Sequence, residues 1–136
     1  MNKGALEPGR QVSLTRRVTD QDIEAFADLS MDRNRVHFDD AFAAETVFGK
    51  RIAHGMISAA LISGALTELM GNGNIWLSLN LDFKKPVYVD EEITCTLKVR
   101  EVVRRSIATI DVEILNSASE LVIEGRVTSM RSIARD

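Results

Sequence analysis

The run from Met56 to Met70 constrains the fold more than any other part of the sequence, because nearly every residue in it is apolar or small. These residues are not confined to one helical face, so the pattern predicts a helix that is buried on most sides. Gly71-Asn72-Gly73 is typical of a helix end. At about fifteen residues, the run is shorter than the ~20 apolar residues that cross a bilayer. Other elements of the chain must therefore cover this helix.

The segments on either side of the buried helix predict how it is covered. Two short helices are expected before it, over residues 20–30 and 39–45, and Thr19 can cap the first of them. Residues 31–37 lack periodicity and are predicted to form a loop. Alternating apolar patterns predict five strands, over residues 11–18, 75–83, 93–103, 107–115 and 121–130. This order predicts an α+β fold in which an antiparallel sheet wraps around one long buried helix.

The composition is that of one globular domain, which we expect to span residues 1–136. Hydrophobic residues make up 45% of the chain, which is enough for a core. The net charge is -3 and the 17 Lys and Arg residues are spread along the chain, which argues against a nucleic-acid partner. Residues 1–9 lack the apolar core of a signal peptide. We therefore expect a cytoplasmic protein without a membrane partner.

The sequence contains a single cysteine, Cys95, which excludes an internal disulfide framework and a cysteine-rich zinc site. Cys95 lies in one of the alternating strand patterns, and no histidine is near it in sequence. We interpret it as a small, half-buried strand residue and not as a nucleophile.

Both histidines, His37 and His54, fall in the window between the first helix and the buried helix, and Asp32 and Asn34 lie in the same window. A carboxylate and an imidazole five residues apart in a folded loop can face one pocket and hold a water between them. One group can then take a proton from the water while the other returns a proton to the substrate. Imidazole titrates near neutral pH without any perturbation, and Asn34 could orient either partner. Asp32 and His37 are therefore candidate acid–base residues.

The same residues also fit a purely structural role. Asp32 and Asn34 are typical of an Asx-turn followed by a helix cap, and His37 could then be an ordinary surface imidazole. Considered on residue types alone, both interpretations stay open. A metal site is not predicted, because two isolated histidines with scattered aspartates lack the close ligand spacing of known sites.

The start of the buried helix is a second candidate site. Its first backbone N–H groups have no partner within the helix, and Gly55 lets a substrate approach the backbone closely. The Gly55 N–H could therefore stabilise an oxygen that gains negative charge during a reaction. We expect the His54 side chain to be packed and hydrogen-bonded, and the Ser58 hydroxyl to bond back to a helix carbonyl. Nucleophilic serine chemistry is not predicted, because no Gly-x-Ser-x-Gly motif is present.

Three segments together match one known pattern. Ser30-Met31-Asp32-Arg33-Asn34-Arg35-Val36-His37 is similar to a signature that reads Ser-Gly-Asp-x-Asn-Pro-apolar-His. Ile52-Ala53-His54-Gly55-Met56, followed by Ser63-Gly64, is similar to a second motif, and the segment from Leu81 to Glu91 is similar to Phe-x-x-Pro-Val-x-x-Gly-Asp. On these segments, and over most of the chain from Val12 to Met130, the sequence resembles the MaoC-like hydratases, in particular the short R-specific enoyl-CoA hydratases.

The resemblance implies a hot-dog fold and the reversible addition of water to a trans-2-enoyl-CoA, giving an (R)-3-hydroxyacyl-CoA. It implies that Asp32 activates the water, that His37 assists proton delivery to the α-carbon and that the Gly55 N–H stabilises the enolate-like oxygen. Asn34 and Ser63 would support this arrangement. It further implies that no cofactor beyond substrate CoA is needed, that CoA is favoured over acyl carrier protein, and that the site lies near the interface of a homodimer. Ile62 and Leu66 are expected to line the acyl pocket.

Two departures from the family pattern bear on this expectation. Met31 stands where the signature has Gly, and Met reaches the backbone angles open to Gly only with strain. Arg35 stands where the signature has Pro and adds a charge beside the pocket. Two other functions therefore stay in consideration, a hot-dog acyl-CoA thioesterase and a non-catalytic acyl-CoA-binding module.

Overall fold

The computed structural model describes residues 6–132, which form five strands and four helices. The elements in chain order are β1 (Gln11–Arg17), α1 (Asp20–Ser30), α2 (Arg35–Phe38), α3 (Asp40–Ala44), α4 (Gly55–Met70), β2 (Ile75–Phe83), β3 (Glu92–Val103), β4 (Ile107–Asn116) and β5 (Leu121–Met130). The predicted α+β order of elements is therefore confirmed within the described residues.

The five strands form one antiparallel sheet in the order β1-β3-β4-β5-β2. Alternate residues of β3 and β4 turn their side chains towards α4, because successive side chains of a strand point to opposite faces. Cys95 is one of the inward residues and is fully buried, and this burial raises the pKa of its thiol to about 12. The thiol therefore stays protonated near neutral pH, which agrees with a packing residue that is not a nucleophile. The predicted half-burial of Cys95 is wrong, because α4 covers the inward face of the sheet completely at this position.

Helix α4 packs against β1, β3 and β5, so the curved sheet wraps around it as predicted. Ile62, Leu66 and Leu69 have no solvent exposure and lie in the core together with the inward residues of the strands. Burying a side chain of this size stabilises the fold by about 1.5–3 kcal/mol. The burial of α4 therefore fixes the position of both of its ends.

The local structure before α4 differs from the prediction in one respect. Residues 31–37 were expected to be a loop, but α2 begins at Arg35, because the Asn34 side chain accepts a hydrogen bond from the Val36 N–H at 3.1 Å and caps a single helical turn. Such a short helix leaves no periodic trace in a sequence. The predicted helix over residues 39–45 corresponds to α3, and its Asp39 cap accepts from the Phe42 N–H at 3.0 Å.

Among the described helices, none has the length and apolar character needed to cross a membrane.

Strands β2 and β5 approach each other closely at Gly125. A Cβ added at this glycine would lie 2.1 Å from the Asn80 carbonyl oxygen and 2.9 Å from the Leu81 Cα. Both contacts are with backbone, which cannot move aside without breaking the β2–β5 ladder. Gly125 is therefore required for the pairing of the edge strand β2.

We expect Gly125→Ala to lower the free energy of unfolding by about 3 kcal/mol or more, because the new methyl group displaces the β2 backbone. Urea denaturation monitored by circular dichroism measures this loss. Gly64→Ala is the matched control, since its added Cβ makes only an ordinary 3.5 Å contact with Leu14 Cδ1. A loss below about 1 kcal/mol for Gly125→Ala would contradict the proposed close approach.

Candidate active site

Helix α1 ends at Ser30, and the residue that follows, Met31, adopts the left-handed conformation with φ 66° and ψ 12°. Its N–H donates to the Ala27 carbonyl, so Met31 occupies a position that glycine commonly fills. The Met31 side chain is 87% exposed and gains little from packing. The expected backbone strain at this residue is therefore confirmed.

The chain then turns sharply at Asp32. The Asp32 carboxylate accepts a hydrogen bond from the Asn34 N–H at 3.1 Å, which forms an Asx-turn, and Asn34 in turn caps α2. The structural interpretation of the loop is thus correct for these two residues. It is wrong for His37, which is only 7% exposed and is not a surface imidazole.

His37 is held at both its ring and its backbone. The Nδ1–H donates to the Ile52 carbonyl oxygen at 2.8 Å, since a carbonyl can only accept. In the neutral ring this leaves Nε2 unprotonated, with a free lone pair. Arg51 donates from Nε to the His37 carbonyl at 2.7 Å and is also paired with Asp20 at the start of α1. The orientation of the imidazole is therefore set by several separate contacts.

His54 lies behind His37, at the residue that precedes α4. It is 3% exposed, its ring stacks on the His37 ring with centroids 3.8 Å apart, and Phe26 packs against it at 4.8 Å. The His54 Nε2–H donates to the Asp32 carbonyl oxygen at 2.9 Å. The prediction of a packed and hydrogen-bonded His54 is confirmed.

These contacts bring a carboxylate oxygen of Asp32 and one ring nitrogen from each histidine within 4.8 Å of one another. Burial lowers the pKa of His37, and the neighbouring His54 and Arg51 lower it further, while the bond to the Ile52 carbonyl and the nearby Asp32 carboxylate oppose the shift. His37 is therefore neutral at pH 7, with Nε2 ready to accept a proton.

The same three residues are the kind of group that can ligate a metal ion. The proximity of Asp32 and His37 was predicted, whereas the approach of His54 to this pair was not expected from the sequence. The ring planes of His37 and His54 differ by only 27°, so their in-plane lone pairs lie in nearly parallel planes instead of converging on one point. One nitrogen of each ring is also engaged by a backbone carbonyl. The geometry therefore suits proton transfer better than shared metal ligation.

A cavity of about 270 Å³ lies at the start of α4, and its lining includes Ile52, Ala53 and Gly55 but none of the three cluster residues. Gly55 lies in its wall, and the Phe83 ring passes so close that a Cβ on residue 55 would lie 3.0 Å from it. The first N–H groups of α4 have no partner within the helix and carry its positive dipole end. The cavity also contacts Lys84 and Lys85, whose ammonium groups pair with Glu124 at 3.6 Å and with Glu120 at 2.6 Å.

The other predicted site residues lie in different environments. Ser63 is exposed on α4, while Ile62 and Leu66 are fully buried in the core and do not line the cavity at Gly55. Their assignments to the site stay predictions. The prediction for Ser58 is wrong, because its buried hydroxyl makes no hydrogen bond to a helix carbonyl, and the residue lines the cavity beside Gly55.

Three contacts near the site were not expected from the sequence. Arg51 supports the His37 backbone and carries no motif signal of its own. Phe83 is the Phe of the Phe-x-x-Pro match, but the motif did not indicate that its ring covers Gly55. The charge of Arg35 was expected beside the pocket, but its guanidinium pairs with Asp39 at 2.8 Å and lies 4.6 Å from the Phe42 ring centroid. Arg35 is therefore largely satisfied by its own neighbours.

The chain belongs to the MaoC-like domain family, whose model matches residues 3–122. It is 39% identical over 127 residues to the (R)-specific enoyl-CoA hydratase of Aeromonas caviae, covering 92% of this chain and 95% of that protein. It is also 39% identical over 126 residues to the (R)-specific enoyl-CoA hydratase of Rhodospirillum rubrum, covering 92% and 88%. The solved structure of the (R)-hydratase from A. caviae matches with a TM-score of 0.89 at 38% identity, covering 93% of this chain and 98% of that chain. The predicted hot-dog fold is confirmed.

We expect Met31→Gly to raise the free energy of unfolding by about 0.5–1 kcal/mol. The left-handed conformation costs a non-glycine residue roughly 1–2 kcal/mol, of which the greater flexibility of unfolded glycine offsets roughly 0.5–1 kcal/mol. Thermal and urea unfolding measure the difference, with Met31→Ala as the control that keeps a Cβ and gains nothing. A destabilised Met31→Gly would show that the Met31 side chain contributes contacts that its exposure does not suggest.

Proposed function

We propose that this protein is an R-specific enoyl-CoA hydratase, a hydro-lyase that reversibly adds water to a trans-2-enoyl-CoA to give the (R)-3-hydroxyacyl-CoA. The observation that carries the proposal is the pairing of an exposed Asp32 carboxylate with a buried, neutral His37 whose Nε2 is free. The two relatives at 39% identity with this named activity support it.

The protonation state of His37 changes the roles that we expect for Asp32 and His37 in proton transfer. Because Nε2 carries no proton in the neutral ring, His37 must take a proton before it can return one. In the forward reaction the water oxygen bonds to the β-carbon while its proton passes to His37 Nε2, and the alkene electrons move to the thioester oxygen. The imidazolium then gives its proton to the α-carbon. The Asp32 carboxylate orients the water by accepting its second hydrogen and stabilises the transient imidazolium charge.

The start of α4 supplies the remaining stabilisation. In the proposal the Gly55 N–H donates to the thioester oxygen as it becomes enolate-like, where a preformed donor is most effective. The cavity beside Gly55 holds the thioester end, and Lys84 and Lys85 lie where they can meet the phosphates of the CoA arm. Asn34 acts indirectly, by fixing the turn that carries Asp32 and His37. These groups supply all the acid–base chemistry, so the reaction needs no cofactor beyond the CoA of its substrate.

The proposal includes a homodimer with the site near the subunit interface, and residues 1–136 as one domain. The edge strand β2 supports the homodimer, because several of its large apolar side chains are exposed, namely Ile75, Trp76, Leu77, Leu79 and Phe83. Native proteins rarely leave such a strand edge uncovered. Phe83 also covers Gly55, so a partner subunit seated on β2 would border the cavity. A cytoplasmic location is proposed because CoA thioesters are intracellular metabolites.

The first test is hydration of crotonyl-CoA and longer trans-2-enoyl-CoA thioesters by Asp32→Asn and His37→Gln. We expect each variant to lose roughly 10²–10⁴-fold in kcat, since each removes a proton-transfer or water-orienting group. Loss of the enoyl absorbance measures the reaction, and chiral analysis of the product gives its configuration. Asp111→Asn is the matched control, because it changes a half-exposed aspartate on the sheet whose ion pairs contribute little.

The same assay separates the two other functions. Release of free thiol without loss of the enoyl absorbance would identify a thioesterase. Tight acyl-CoA binding by a wild-type protein that is inert on every chain length would identify a binding module, and either outcome would refute the hydratase. An acyl carrier protein thioester run in parallel tells whether the carrier or CoA presents the acyl group.

We expect Gly55→Ala to lower kcat/KM roughly 10- to 100-fold, because the new methyl group enters the cavity against Phe83 and displaces the thioester oxygen from the N–H donor. Its stability should be unchanged or higher by up to about 1 kcal/mol, since Ala favours a helix over Gly. Steady-state kinetics and thermal unfolding measure both effects. Gly64→Ala on the same helix should keep near wild-type kinetics, and equal kinetics for the two variants would remove Gly55 from the site.

We expect the wild-type protein to sediment as a dimer and Leu77→Lys to shift it towards monomer, because the new charge lies on the exposed edge of β2. Analytical ultracentrifugation over a range of concentrations measures the shift. Val47→Lys is the matched control, since Val47 is 96% exposed outside the sheet. A wild-type monomer, or a dimer that Leu77→Lys leaves intact, would contradict the proposed interface.

A further inference from the structure

His54 contacts both members of the proposed acid–base pair. The sequence predicted only a packed residue at this position, without a part in the reaction. Its Nε2–H holds the backbone carbonyl of Asp32, and its ring face lies against His37 at a centroid distance of 3.8 Å. Asp32 and His37 therefore share one rigid support. The support itself is fixed, because His54 is 3% exposed and immediately precedes the buried helix α4.

The tautomer of His54 follows from its partners. The Asp32 carbonyl can only accept, so Nε2 carries a proton. The Nδ1 atom is buried without a hydrogen-bond partner. The bond to the Asp32 carbonyl, together with the stack on His37, therefore orients the ring.

We propose that His54 is a positioning residue that, through its Nε2–H bond to the Asp32 carbonyl and its stack on the His37 ring, fixes the Asp32 turn and the His37 ring relative to each other. This inference rests on the proposed function of Asp32 and His37. It adds that the two histidines have separate roles. His37 cycles its proton through a free Nε2, whereas His54 keeps its proton on the Asp32 carbonyl throughout the reaction.

Nitrogen NMR tests the tautomer without any substrate. The sequence contains two histidines, so the spectrum of His54→Gln identifies the His37 signals by elimination. We expect the neutral ring of His54 to show the Nε2–H tautomer, because the Asp32 carbonyl can only accept. A neutral His54 ring that carries its proton on Nδ1 overturns the proposal. Since no turnover is measured, this result stands even if the hydratase activity is not found.

Kinetics test the positioning role. We expect His54→Leu, which has no donor, to lower kcat roughly 100-fold with KM changed less than threefold, as expected for a 1 Å misplacement of reacting groups. His54→Gln keeps an N–H donor and should recover kcat to within about tenfold of wild type. Wild-type kcat in His54→Leu, or equal losses in His54→Leu and His54→Gln, overturns the proposal.

The control variant is Phe26→Leu, which reduces packing on His54 but leaves its bond to Asp32 and its stack on His37 in place. We expect its kcat within threefold of wild type. A loss as large as that of His54→Leu would show that packing alone matters and would overturn the positioning role. If His54→Leu does not fold, the comparison of His54→Gln with Phe26→Leu and the tautomer measurement still decide the question.

Discussion

The burial of α4 is the constraint on which the rest of the structure depends. Ile62, Leu66 and Leu69 anchor the helix in the concave face of the sheet, so its first turn is fixed in space. His54 and Gly55 stand at that turn, and the loop after α1 folds over it because the Asp32 carbonyl bonds to His54. A hydrophobic interaction thus determines where these polar groups meet.

Desolvation then determines what the polar groups can do. Burial lowers the pKa of His37 and keeps the ring neutral, while its bond to Ile52 leaves Nε2 as the only free nitrogen. Asp32 lies at the exposed side of the same cluster, where solvent and substrate can reach it. The proposed roles of His37 as a base and of Asp32 as a water-orienting carboxylate depend on this difference in environment between the two side chains.

The fold could be predicted from the sequence because α4 is apolar on nearly all sides and the later strands alternate regularly. For the candidate site, the sequence predicted which segment carries it but not the contacts between its residues. The Asx-turn and the cap at Asn34 are local and follow from residue type, whereas the His37–His54 stack and the Arg51 bond to the His37 carbonyl join residues that meet only after α4 is buried. The Ser58 hydroxyl was assigned wrongly because helical back-bonding is a general tendency that local packing overrides here.

The central claim is that Asp32 and His37 direct a water molecule to the β-carbon of an enoyl thioester. Turnover of crotonyl-CoA in ¹⁸O-labelled water, followed by mass spectrometry and chiral analysis, tests it most directly. The account predicts one ¹⁸O atom in the 3-hydroxyl group of an (R)-configured product whose thioester is intact. Label found in a released carboxylate, or a product of (S) configuration, would contradict it.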